Sequence, residues 1–287
     1  MAVLARRAAA LASIAVLWWT VGLGYGWGRA HEPPTREEAI EKLRELGRVE
    51  PHLDSPGLWV KLMGRQVTDS TLELLIVLTD VNRLTLTDTR VTEAGLAKLQ
   101  CLPRLRTLII DGAELTDRGL VEVAQLKGLE GLGLLDTRIE GTGLGYLEGL
   151  PRLDNLYLEG PVRTASGLAD LGRLKGLLLI DVRLTDRDLT FLKSLPNLEW
   201  LSIEGDSLTL QGLDDLTAQQ HLKHLYLGVR STMEELERFR LAHPGIAIPI
   251  AMCGTPGAVR HNELAERRLR RQGLTGRLRL AWRDFLR

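Results

Sequence analysis

Cysteine is nearly absent from this chain of 287 residues, which has only Cys101 and Cys253. Two thiols supply neither a disulfide framework nor a zinc pattern. Net charge is absent too, because 37 basic residues cancel 37 acidic ones. No global attraction to nucleic acid follows from such a balance. Catalytic constellations are also missing. The carboxylates are scattered with no pair placed for acid–base work, and no Ser or Cys has the partners of a nucleophile. His221 and His224 are three apart on a strand start, so they point to opposite faces and do not share a metal. Gly141-Thr142-Gly143-Leu144-Gly145 sits where a phosphate loop would, but its spacing matches no phosphate-binding pattern. These absences point away from an enzyme, a cofactor and a metal.

The charge balance hides an asymmetry. Residues 251–287 hold nine arginines against Glu263, Glu266 and Asp284, a net of +6. Residues 1–30 carry +3, which leaves −9 for residues 31–250. An acidic middle is flanked by two basic ends.

What the chain does have is a repeat. Leu105 to Gly128 reads LRTLIIDGAELTDRGLVEVAQLKG, and Leu129 starts the pattern again 24 residues after Leu105. The first half alternates with period two, as a strand with one buried face does. The second half, Gly-Leu-x-x-Val-x-x-Leu, reads as a short helix with one buried stripe, and Thr116 stands where an N-cap belongs. One unit cannot bury its apolar side alone, but stacked copies can. Strand pairs recur at Val60/Leu62, Leu84/Leu86, Leu108/Ile110, Leu132/Leu134, Leu156/Leu158, Leu177/Leu179, Leu201/Ile203 and Leu225/Leu227. Every step is 24 except the 21 from Leu156 to Leu177, and the three missing residues are expected from the helical side.

On these residues the stretch from Gly57 to Ile250 resembles the leucine-rich-repeat family. Its units are similar to the ribonuclease-inhibitor and F-box-associated types, as in planctomycete-type bacterial proteins. The resemblance implies an α/β fold: a curved solenoid of about eight 24-residue units with a parallel sheet on the concave face. One departure stands out. The family's ladder of Asn or Cys is replaced by Thr89, Ala113, Thr137, Pro161, Val182 and Asp206. Thr substitutes for such a ladder only in part, so a less regular horseshoe is expected.

Residues 1–30 read as membrane targeting. Arg6 and Arg7 precede an uncharged run from Ala8 to Gly28. As a helix those residues span about 30 Å, the thickness of a bilayer's hydrocarbon. The reading is an uncleaved transmembrane anchor through residues 8–28, with the solenoid outside the cytoplasm. The alternative is a cleaved signal, which would make the protein secreted. Residues 31–56 form a juxtamembrane segment with a capping helix from Thr35 to Leu46, residues 57–250 the solenoid, and residues 251–287 the basic tail. In that tail Asn262–Gln272 and Leu278–Leu286 read as short basic helices, suited to an anionic surface.

In each strand, residues between the buried leucines point the other way. The later half of that face gathers Asn155, Tyr157, Glu159, Trp200, Ser202, Glu204, His224 and Tyr226. Aromatics with carboxylates nearby are the composition of a protein-binding hot spot. The expected function is a membrane-anchored, non-catalytic interaction module that binds a protein partner there. A self-associating envelope protein and an F-box-like intracellular adaptor are the alternatives.

Overall fold

The computed structural model describes residues 33–51, 56–218 and 220–248. Residues 8–28, expected to span a membrane, and the basic tail 251–287 lie outside them. Among the described residues no helix is long and apolar enough to cross a membrane.

The chain begins with α1 (Arg36–Glu45). Thr35 caps it: the Glu38 amide donates to the Thr35 hydroxyl at 3.3 Å, and the Thr35 amide donates to the Glu38 carboxylate at 2.8 Å. This reciprocal pair satisfies two amides that a helix start leaves open. Ala39 and Leu43 are buried, and Arg36 reaches Asp80 in the first repeat through two bonds of 2.7 and 2.8 Å. Next comes β1 (Gly47–Pro51), paired antiparallel with β2 (Leu58–Met63). Sequence alternation did not show β1, because only Val49 is buried in it. It closes the first edge of the sheet, an edge that would otherwise offer open backbone groups.

From β2 onward every pairing is parallel. The strands are β3 (Val81–Thr87), β4 (Thr107–Asp111), β5 (Gly131–Leu135), β6 (Asn155–Glu159), β7 (Gly176–Ile180), β8 (Trp200–Thr209) and β9 (His224–Arg230). The register joins Val60, Leu84, Leu108, Leu132, Leu156, Leu177, Leu201 and Leu225 in one row. Each of these side chains is fully withdrawn from water. The repeat is therefore a leucine-rich solenoid with a parallel sheet on one side.

The helical side differs from the expectation of short α-helices. Short α-helices occur only in α2 (Glu93–Lys98) and α3 (Leu120–Val123) among the solenoid's described turns, before α4 (Met233–Ala242) ends it. The other turns are 3₁₀: Thr71–Val77, Leu144–Gly149, Ser166–Asp170, Asp186–Ser194 and Leu210–Ala218. The leucine spacing permits these tight turns but does not by itself select them, since the units of α2 and α3 carry apolar residues three apart as well, at Leu96/Leu99 and Leu120/Val123. Leu144, Leu147, Leu150 and Leu153 are three apart, which suits three residues per turn, and the Leu150 and Leu153 amides bond back three residues. The 21-residue unit follows the same rule. Gly143 and Gly167 remain 24 apart, but the later unit has Leu168, Leu171 and Leu174 where the earlier has four leucines. One Leu-x-x turn is missing, from the helical side.

Two further ladders hold the units in step. The residues leaving the strands at Gly64, Asp88, Gly112, Asp136, Gly160 and Asp181 all have positive φ. Only Gly, and short polar residues such as Asp, adopt that conformation cheaply. Five of their amides donate across to the next unit, as Asp88 does to Asp111 at 2.8 Å. The second ladder corrects the expected role of Thr116. Its hydroxyl does not cap its own helix but donates to Glu93 of the unit before, at 2.8 Å. Thr92 donates likewise to Asp69 at 2.6 Å and Thr209 to Asp186 at 2.7 Å. Acidic residues thus do the stitching between units. At the old ladder position, the buried Thr89 hydroxyl finds no hydrogen-bond partner among the described residues.

Thr232 caps α4, which buries Leu236 and Phe239 and leaves Met233 exposed. Of the closing strand expected at Ile246–Ile250, residues 249–250 lie outside the described residues, and the described part makes one parallel bridge, Ala247 to His224. Ile248 is buried beside it.

Candidate functional site

The candidate surface is the side of the sheet that faces away from the leucine core. Register sets its rows. Asn155, Gly176, Trp200 and His224 form one, and Tyr157, Leu178, Ser202 and Tyr226 the next; beyond these Glu159 pairs with Ile180, and Glu204 with Gly228. All eight residues singled out from the sequence therefore lie on one side of β6, β8 and β9.

Exposure divides them. Tyr157 is 1% exposed and forms a second small core with Ile109, Leu135 and Leu178. It is a floor rather than a contact surface. Burial pushes its phenol far above the usual range, so it stays a neutral hydroxyl. The Trp200 ring tilts at 33° to the Tyr157 ring with centroids 5.6 Å apart, within the favourable range for aromatic pairs. Asn155, Glu159, Trp200, Ser202, Glu204 and Tyr226 are partly exposed, and His224 is open.

Glycines make room for this arrangement. A Cβ at Gly176 would collide with the Trp200 indole and the Asn155 amide, so both lie over bare backbone. A Cβ at Gly228 would come within 2.6 Å of the Glu204 side chain, which lies over it in the same way. Gly131 and Gly133 leave a low floor beside Tyr157 on β5.

The other end of this face holds residues that sequence reading did not combine. The Arg83 guanidinium stands 5.7 Å from the Trp59 ring centroid, a cation–π distance. Burial lowers the Arg83 pKa from its ordinary value. Asp111 is pushed up to about 6, first by burial and then by the neighbouring charges of Asp136 and Asp88, with Lys61 opposing. The signal for this end was Trp59, which occupies the same strand position as Trp200.

Comparisons with known proteins add the following. No family model matches the chain, and no curated protein matches it. Similar solved structures include two internalins. One is internalin C2 from Listeria monocytogenes, 25% identical, with a TM-score of 0.45 over 62% of this chain and 76% of that one. The other is a further internalin from the same organism, 19% identical, with a TM-score of 0.44 over 61% of this chain and 62% of that one.

The phosphate-like loop has a use inside the fold. The Asp117 carboxylate of the preceding unit accepts from the amides of Glu140, Gly141 and Gly143 at 2.9, 3.0 and 2.7 Å. An internal carboxylate fills the cradle that an anion would need. No group of three or more metal-ligating residues is found among the described residues.

Proposed function

We propose that this chain is a leucine-rich-repeat interaction module without catalytic chemistry. Residues 8–28 hold it in a membrane with the solenoid outside the cytoplasm. A protein partner binds the open side of the sheet at its β8–β9 end. The observation that carries this reading is the register: Trp200 beside His224 and Ser202 beside Tyr226, on one face with Glu204. Aromatic anchors over a rigid sheet, edged by polar groups, lose little side-chain freedom on binding.

The test is capture by the purified full chain of a partner from envelope extract. Trp200→Ala and Tyr226→Ala are each expected to weaken that partner's affinity by about tenfold or more, the cost of losing a hot-spot aromatic. Retention of every partner by both variants sinks the assignment of this face. Protease added to intact cells tests the topology, and a solenoid protected from it overturns the external placement.

A further inference from the structure

The centre of the open face is drier than the side of a single-layered sheet should be. Ile109 and Leu135 are each 4% exposed and Tyr157 and Leu178 each 1%. Among the described residues, their cluster includes none from a turn or helix. The buried leucines of the helical side all belong to the other core. Exposure this low, on a side with no described helix in its cluster, calls for a covering segment. Flanking the apolar centre is an acidic margin of Glu159 at the end of β6, Asp181 just past β7 and Glu204 within β8.

We propose that the arginine-rich segment 251–287 of the same chain lies across this face, with Trp282, Phe285 and its leucines over Leu178 and Tyr157 and its arginines along the Glu159–Glu204 margin. Charge favours this occupant: the segment carries +6 against −9 for residues 31–250. Its start favours it as well, since Ile248 is buried beside β9 at the end of the sheet. Reach is sufficient. Residues 262–286 as helix extend about 37 Å, and the five strand spacings from β9 back to β4 cover only about 24 Å. Residues 8–28 have the apolar surface but no charge to match the margin. The segment then acts as an internal competitor, and anything else that binds this face must displace it. The inference rests on the chemistry of the face alone and does not need an external partner.

The test uses the full chain, monomeric in detergent, with a benzophenone amino acid replacing Trp282. Irradiation is expected to link that position to β6–β8 of the same chain, read by peptide mass spectrometry. Trypsin cleavage after Arg277 and Arg279 is expected to speed up by about tenfold when Arg267, Arg268, Arg270 and Arg271 are all changed to Glu, because cleavage follows the population of the undocked segment. Adding Glu159→Lys and Glu204→Lys to that variant is expected to restore both the link and the protection. The tail substitutions lie outside the solenoid, so they test docking without unfolding it. Links confined to the helical side, to residues 8–28, to detergent or to a second copy overturn the proposal. So do cleavage rates that are equal in all three proteins.

Discussion

The same parallel strands have two unlike faces. On the core face one residue type recurs from Leu84 to Leu225, because each side chain packs on its own counterpart in the next unit. On the open face the matching row runs Trp59, Arg83, Thr107, Gly131, Asn155, Gly176, Trp200 and His224, with no type maintained. Stacking constrains a side chain only where it must fit between copies of itself. The open face is released from that rule, so its residues carry individual character.

The largest effect should come from breaking the core row. Leu132→Ala in the fully buried centre is expected to cost about 2–5 kcal/mol, because the neighbouring units hold the cavity open. Chemical denaturation of the full chain measures it. Ser202→Ala, on the opposite side of the sheet and partly exposed, is the contrast, with an expected change within about 0.5 kcal/mol. Equal costs at the two positions would erase the distinction between the faces.

The stitching between units comes next. Asp117→Ala removes the acceptor of three amides in the following unit. Bonds to a charged group are each worth about 1.5–3 kcal/mol when buried, but this site is partly open to water. A total near 2 kcal/mol is expected, with faster amide exchange at Gly141 and Gly143. Asp117→Asn should recover part of it, since its side-chain oxygen still accepts. Exchange unchanged in the alanine variant would show that Asp117 does not anchor the loop.

How much of this was legible follows from the same physics. The strand rows could be read to the residue because burial repeats every 24 positions. The 3₁₀ turns were not legible, because apolar residues three apart occur both in the 3₁₀ units and in the units of α2 and α3. The acidic ladder was present as the recurring Thr-Asp or Thr-Glu pairs at Asp69, Glu93, Asp117 and Asp186. Its meaning was hidden because its bonds run between units, from Asp69 to Thr92 for example. At the candidate site the sequence placed Trp200, Glu204 and Tyr226 on one side of the sheet, where the register has them. It did not show that Tyr157 is buried, since that depends on a floor of Gly131 and Gly133 and on whatever lies above.

Asp111 sharpens the comparison from the open side with the smallest effect. Its carboxyl lies on the open face at the end of β4, and it titrates near 6 rather than at the usual 3.8 because burial and the charges of Asp136 and Asp88 disfavour ionisation. A carboxyl whose pKa is raised by folding binds its proton more tightly in the folded state. Its stabilising influence is complete below about pH 4 and is lost as pH climbs through about 6. Asp111→Asn removes that loss. The variant should match the parent at low pH and exceed it by about 1 kcal/mol at pH 7, after discounting for partial exposure. Denaturation at pH 4 and at pH 7 reads the difference directly. A variant less stable than the parent at pH 7 would mean that Asp111 is held as an anion by a cation, and the acidic margin of the open face would then extend to β4.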